Sequence, residues 1–193
     1  MARPLEFDKT MALERAMEVF WEKGFEAASL QNLIEAMGLS KSSFYQAFKS
    51  KHDLFTEALN HYVELMSANL SRNLETSPSG LAFIENIFME IAENAPLKAS
   101  QKGCFLMNTA TEFAQKNEQI ALLTGNGLKK FESVFARAVK KAQAEGEISH
   151  SKNPETLADF LVCNMSGIKS MVKAGIKPAV LKPIVNTIIA SLK

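Results

Sequence analysis

The fold is decided around the stretch GLSKSSFYQAFKSKHDLF, which occupies residues 38–55. Gly38 opens a sharp turn, because glycine accepts backbone angles that other residues avoid. Ser40 is then the predicted N-cap of a short helix that ends near Phe48. Phe44 and Phe48 lie four residues apart, so their rings share one face of this helix. We expect the two rings to anchor the helix in a core.

The opposite face of this short helix carries small polar, amide and basic groups. The chain has a net charge of only +1, but the segment from Gly38 to His52 contains three lysines and no acid. Nucleic-acid binders often show their basic character locally in this way. We therefore predict an outward face that can reach phosphates and base edges. Its side chains are Lys41, Ser42, Ser43, Tyr45 and Gln46.

A second short helix precedes the turn, with Ser29 as its predicted N-cap and Met37 near its end. An earlier helix begins after Asp8 and ends near Gly24. Two short helices around Gly38 have the proportions of a helix-turn-helix, whose second helix enters the DNA major groove. Spacing alone would also fit an ordinary corner between two helices. The polar chemistry of the second helix favours the DNA-binding interpretation.

Helical periodicity continues through the rest of the chain, and no strand-like alternation interrupts it. The sequence predicts an all-α fold of about nine helices. We divide it into a three-helix helix-turn-helix domain at residues 1–52 and a larger helical bundle at residues 53–193. The segment Gly125-Asn126-Gly127 should interrupt or bend the seventh helix. Pro183 should either start the last helix or bend it.

Composition and motifs argue against several other classes of protein. Residues 1–9 lack the apolar segment of a secretory signal, and no run of about 18 apolar residues is present to span a membrane. We therefore expect a cytoplasmic protein with no membrane partner. The spacing of Cys104 and Cys163 suits neither a disulfide framework nor a metal site. The histidines form no recognisable catalytic or zinc motif, so we expect neither enzymatic activity nor a cofactor.

Residues 38–55, with the preceding helix and its Gly24-Phe25-x-x-x-Ser29 link, resemble the signature of TetR-family repressors. The specific resemblance covers roughly residues 7–60. It implies that Ser29, Tyr45 and Lys51 contact phosphates and that the outward face of the recognition helix lies in the groove. Arg3, in an N-terminal arm, would reach an adjacent groove. Ala47 departs from the family pattern, which often has an aromatic residue or histidine there, so one backbone contact is in doubt.

The resemblance also implies a homodimer formed by the last two helices and an effector pocket in the central segment. Both helices carry apolar stripes, although a core within one chain would use such stripes as well. The effector would be a small hydrophobic or electrophilic molecule, and many of the candidate side chains would equally suit a plain core. The candidates are Tyr62, Met66, Phe88, Cys104, Phe105, Asn108, Thr109, Phe131 and Met165.

Cys104 follows Gly103 at the predicted start of the sixth helix, where the helix dipole would favour a thiolate. It is a candidate sensor of electrophiles or oxidants, with a buried inert cysteine as the alternative. The hypothesis for the whole chain is a transcriptional repressor that binds a pseudo-palindromic operator and is released by an effector or by Cys104 modification. The alternative is a helical protein–protein adaptor without DNA binding.

Overall fold

A computed structural model describes residues 8–193, and within that range the chain is all-α, as predicted. Nine α-helices and one short 3-10 helix, Ser100–Lys102, make up the secondary structure of the described residues. The helices are α1 (Lys9–Ala27), α2 (Leu30–Met37), α3 (Lys41–Phe48), α4 (Lys51–Thr76), α5 (Gly80–Glu93), α6 (Phe105–Phe113), α7 (Glu118–Ala144), α8 (Pro154–Lys173) and α9 (Pro178–Leu192).

The predicted helix caps form in the N-terminal segment. The Asp8 carboxylate accepts hydrogen bonds from the first backbone N–H groups of α1. Gly24 leaves the helical region with φ 77°, so α1 kinks there and continues for only a few residues. Ser29 then caps α2 in a reciprocal box with Asn32. Each cap satisfies backbone donors that would otherwise lack a partner at a helix start.

The turn between α2 and α3 depends on Gly38, which adopts a left-handed conformation with φ 67° and ψ 32°. Its N–H and that of Leu39 close the end of α2 by donating to carbonyls of Glu35 and Ile34. Ser40 caps α3 by accepting a hydrogen bond from the Ser43 N–H at 3.1 Å. A glycine is favoured here because a Cβ would disfavour these angles.

The residues group into two compact units, and both α4 and α7 contribute to each of them. The first unit contains the described chain through Glu64 together with Phe105–Thr124. In it, α1 packs against α2 and also against α6. The second unit contains Leu65–Cys104 and Gly125–Lys193. The functional boundary after residue 52 stays a prediction; the compact units reflect packing, which places α6 with the N-terminal helices.

Aromatic rings form the core of the first unit. Phe55 of α4 lies 5.0 Å from Phe20, 5.0 Å from Phe25 and 5.8 Å from Phe105, measured between ring centroids. All three contacts have edge-to-face geometry, which the quadrupoles of aromatic rings favour. Burying such rings is worth several kcal/mol, since truncating one to alanine typically costs about 3–5 kcal/mol. Helices α1, α4 and α6 are thus joined by a shared cluster of rings.

In the second unit, α5 packs against α8 and α9. The N-terminus of α5 is held by two carboxylates that follow α7. Glu145 accepts a hydrogen bond from the Gly80 N–H at 2.9 Å, and Glu147 accepts from the Leu81 N–H at 3.1 Å. The Ser79 hydroxyl also donates to Glu147 at 2.8 Å. Negative charge at this end of a helix is stabilised by the helix dipole.

One detail of the predicted helices requires revision. The expected interruption at residues 125–127 is wrong, because α7 runs without a break from Glu118 to Ala144. Glycine weakens a helix by only about 1 kcal/mol, which the packing of the flanking turns can offset. Pro183 lies inside α9, which begins at Pro178. In the part of the chain that the structure describes, no helix has the length and apolar character needed to cross a membrane.

Gly80 is the position where a side chain would be least tolerated, since a Cβ there would overlap the Ala138 carbonyl oxygen and the Ala142 backbone of α7. We expect Gly80→Ala to lower the free energy of unfolding by about 1–3 kcal/mol, the usual effect of overpacking. Gly125→Ala is the matched control, because its Cβ would meet no atom within 4 Å. Urea denaturation should find this control neutral or more stable. Equal losses for both variants would contradict the close packing of α5 on α7.

Candidate nucleic-acid interface

Helix α3 presents one face to the core and the other to solvent. The rings of Phe44 and Phe48 are buried, and their centroids are 6.1 Å apart. On the outward face, Tyr45 is 47% exposed. Lys41, Ser42 and Gln46 are also exposed, whereas Ser43 is half-buried. The predicted outward side chains are therefore brought together on one solvent-facing surface, which we call the α3 face (Lys41, Ser42, Ser43, Tyr45 and Gln46).

Hydroxyl groups gather at the N-terminus of α3. The Ser40 oxygen lies 2.9 Å from the Ser42 hydroxyl and 2.8 Å from the Ser43 hydroxyl, in addition to capping the Ser43 N–H. Hydroxyls both donate and accept, so such a group can meet a phosphate oxygen or a base edge. The helix dipole adds positive potential at the same end. No acid is present between Gly38 and His52 to oppose it.

Ser29, at the N-terminus of α2, is also exposed. Its oxygen accepts a hydrogen bond from the Asn32 N–H at 3.1 Å, and Asn32 accepts from the Ser29 N–H at 3.3 Å. The hydroxyl proton of Ser29 takes no part in this box and can be donated outward. The backbone N–H groups and dipole of α2 favour an anion at this position. Arg3, the other predicted contact before α2, lies outside the described residues.

Lys51 is placed by a tight turn between α3 and α4. Lys49 adopts φ 59° and ψ −53°, and the Ser50 N–H donates to the Phe48 carbonyl, which gives a three-residue turn. Helix α4 therefore begins only three residues after α3 ends. Lys51 is half-buried, and its ammonium lies 4.4 Å from the centroid of the Phe25 ring.

Two charged side chains that the sequence did not predict as part of this site, Arg15 and Lys9, lie close to the turn and to α3. Arg15 of α1 lies beside the turn, with its Nη1 3.7 Å from where a Cβ on Gly38 would be. The Lys9 ammonium lies 5.1 Å from the Phe48 ring but is paired with Glu57 at 2.9 Å. The helical spacing of α1 indicated only its buried stripe. It offered no signal that Arg15 approaches the turn, because that contact joins distant parts of the chain.

A buried pair of rings, a left-handed glycine turn and an exposed polar helix together define a helix-turn-helix of the DNA-binding type. Models of two families match this chain. The N-terminal model of bacterial regulatory proteins of the tetR family matches residues 12–58, and the tetracyclin repressor-like C-terminal domain model matches residues 80–188. The second match covers more than half of the chain. The chain therefore belongs to the TetR family of transcriptional regulators.

Individual relatives agree with this assignment. The HTH-type transcriptional repressor ComR of Escherichia coli is 30% identical over 96% of this chain and 89% of its own length. The repressor DhaR of a Mycobacterium species is 24% identical over 80% of this chain and 77% of its own length. A cysteine-substituted mutant of the TetR-family regulator CifR, solved with a 26 bp double-strand operator, is 27% identical. Its TM-score is 0.86, with all of both chains covered.

The predicted effector side chains are distributed over both units. Tyr62, Phe105 and Thr109 are buried in the first unit, where the rings of Tyr62 and Phe105 lie 5.6 Å apart. Asn108 is half-buried in the same unit. In the second unit, Met66 is half-buried, and the remaining candidates are buried. Those are Phe88, Cys104, Phe131 and Met165. Their contact with a ligand stays a prediction.

The two cysteines occupy contrasting environments. Cys104 is buried and directly precedes α6, whose first residue is Phe105. Cys163 is exposed on α8. Among the described residues, no group of three or more histidine, cysteine or acidic side chains is arranged to hold a metal ion. The protein thus contains one cysteine that solvent reaches and one that the fold covers.

Ser40 allows the stability of α3 to be separated from its proposed contact with DNA. Ser40→Asp keeps an N-cap of equal quality, so we expect the free energy of unfolding to change by less than about 0.5 kcal/mol. The added carboxylate should lower affinity for operator DNA about fivefold, since like charges 4 Å apart in water repel by about 1 kcal/mol. Urea denaturation and fluorescence anisotropy would measure the two effects.

Ser40→Ala is the complementary variant, because it removes the cap without adding charge. It should lower the free energy of unfolding by about 1 kcal/mol. If Ser40→Asp bound operator DNA as tightly as the unchanged protein, the N-terminus of α3 would not face DNA.

Proposed function

We propose that this protein is a transcriptional repressor that binds a pseudo-palindromic operator as a homodimer. It is released by a small hydrophobic or electrophilic effector or by modification of Cys104. The observation that carries the proposal is the acid-free α3 face, exposed opposite two buried rings in a member of the TetR family. We propose that it acts in the cytoplasm and has no enzymatic role.

Binding to DNA would use two kinds of contact. Ser43 and Gln46 offer hydroxyl and amide groups that match base edges in the major groove. Ser29, Tyr45 and Lys51 offer donors to phosphates, which position the protein without reading sequence. Two copies of α3 would enter successive major grooves about 34–36 Å apart. The solved complex of CifR with its operator, a relative at 27% identity, supports this mode of binding.

The homodimer would form through α8 and α9. Each helix buries one stripe in its own unit, including Leu161, Val185 and Ile188. Apolar side chains remain outside that core, with Phe160 37% exposed and Val180 52% exposed. A symmetric interface would cover such residues with the same surface of a second copy. The dimer is part of the proposal because an operator with two half-sites needs two recognition helices.

Release would depend on α6. Cys104 lies one residue before Phe105, and the Phe105 ring contacts two rings of α4, Phe55 at 5.8 Å and Tyr62 at 5.6 Å. A group added to Cys104 needs room that a buried side chain does not have, so it would displace the start of α6. An effector among the neighbouring apolar side chains would act on the same contacts. Movement of α4 would then change the separation of the recognition helices.

A protein–protein adaptor remains the alternative function. An adaptor would also consist of stacked helices, but it would not require an exposed helix with hydroxyl, amide and ammonium groups and no acid. The family matches favour the repressor.

Lys51→Ala and Tyr45→Phe test the DNA contacts. Both should weaken binding to the operator, which can be isolated from the intergenic DNA beside the protein's own gene. Lys51→Ala should also reduce the slope of log affinity against log salt by about one, since one fewer phosphate contact releases fewer counterions. Lys98→Ala is the control, because it changes the net charge equally at an exposed site in the second unit.

Sedimentation should show that each variant keeps the association state of the unchanged protein. If both variants bound the operator at full strength in physiological salt, this docking arrangement would be excluded.

Cys104→Ser tests the release mechanism, with Cys163→Ser as the matched control. A maleimide should release the unchanged protein and Cys163→Ser from the operator, whereas Cys104→Ser should remain bound. Mass spectrometry would follow the two thiols separately. The rate at Cys104 is compared with that of a free thiol in solution, so faster labelling of this buried cysteine would reveal a reactive thiol. A Cys104 that reacts no faster than a free thiol would refute the sensor role.

A further inference from the structure

We propose that Phe25 is a positioning residue for DNA binding: its ring holds the Lys51 ammonium in place for a phosphate. The inference rests on the proposed function, since it concerns how one of the phosphate contacts of that repressor is prepared. Phe25 lies in the link between the kink of α1 and the start of α2. It carries no polar group of its own and would not touch DNA.

The contact itself has the geometry of a cation–π interaction. The Lys51 Nζ lies 4.4 Å from the centroid of the Phe25 ring, within the roughly 6 Å over which the ring quadrupole attracts a cation. Lys51 is the first residue of α4, and Ser50 and Asp53 fix its backbone. The Ser50 oxygen accepts from the Asp53 N–H at 3.0 Å, while its hydroxyl donates to the Asp53 carboxylate at 2.6 Å.

The Phe25 ring is itself held by other rings of the first unit. Phe55 and Phe113 each lie 5.0 Å from it in edge-to-face geometry. Phe20 stacks on it at 6.2 Å, and the His52 ring lies at the same distance on an edge. These neighbours come from α1, α4 and α6. Because these neighbours fix the position of the Phe25 ring, the flexible Lys51 side chain takes its position from the ring.

A ring holds a cation without neutralising it. Lysine has four rotatable bonds, and freezing them on contact with a phosphate costs conformational entropy. A ring that orders the side chain beforehand reduces this cost, as preorganisation does in other binding sites. The ammonium keeps its charge and its N–H donors for the phosphate. Lys9 provides the contrast, because its ammonium pairs with the Glu57 carboxylate at 2.9 Å.

A double-mutant cycle between Phe25 and Lys51 tests the proposal. Phe25→Leu, Lys51→Gln and the double variant are titrated with fluorescent operator DNA at fixed salt. Phe25→Leu should weaken binding about two- to fivefold, the factor expected for a cation–π contact that is still partly solvated. In the Lys51→Gln background the same change should have no further effect. Phe25→Tyr, which keeps the ring face, should bind the operator with the affinity of the unchanged protein.

Phe83→Leu is the control for loss of packing, because Phe83 is a buried ring in the second unit and contacts Phe135 at 5.9 Å. Its effect on operator affinity should be the same with and without Lys51. If Phe25→Leu weakened binding equally in both backgrounds, Phe25 would be a packing residue and the proposal would be overturned. If Lys51→Gln bound like the unchanged protein, the proposal would fail while the repressor function stood. An unchanged protein that binds no operator would overturn both.

A second measurement needs no DNA and no destabilised variant. In the free protein, the ε-methylene protons of Lys51 should resonate upfield of those of other lysines, because they lie over the ring. The shift should persist in Phe25→Tyr. An ordinary lysine shift for Lys51 in the unchanged protein would overturn the proposal, whatever the binding assays gave.

Discussion

The burial of Phe44 and Phe48 is the interaction on which the arrangement of the DNA-binding segment depends. Two rings four residues apart can enter the core only if α3 lies flat against it, so the orientation of the helix about its axis is set. The side chains between and beside them must then face solvent. This includes Tyr45 and Gln46, which are both exposed. Core packing therefore exposes the polar side chains of α3 on which the proposed function rests.

The same aromatic core explains why α6 belongs with the N-terminal helices. Phe105 and Phe113 place both ends of α6 among the rings of α1 and α4, including Phe55. Edge-to-face contacts are directional, so a shift of α6 changes several of them together. Cys104, which is buried, lies one residue before this helix in the sequence. The proposed release through α6 rests on this adjacency in the sequence.

Much of the fold was predictable because its signals are local. Asp8, Ser29 and Ser40 cap the helices that they were expected to cap, and Gly38 takes the left-handed conformation that the turn requires. The exposed α3 face also followed from helical spacing. The glycines of α7 misled the prediction, because a weak local preference was outweighed by the packing of a long helix. Contacts between residues distant in sequence left no comparable signal.

The sequence by itself determined the class of fold, the helix starts and the polar face of α3, because each depends on residues within one or two helical turns. Only the tertiary structure decided which ring lies against Lys51 and that Arg15 approaches the turn. It also decided that Cys104 is buried and Cys163 is exposed. These features arise where separate helices meet. The energy of such a contact depends on a distance that the chain sets only after its core has packed.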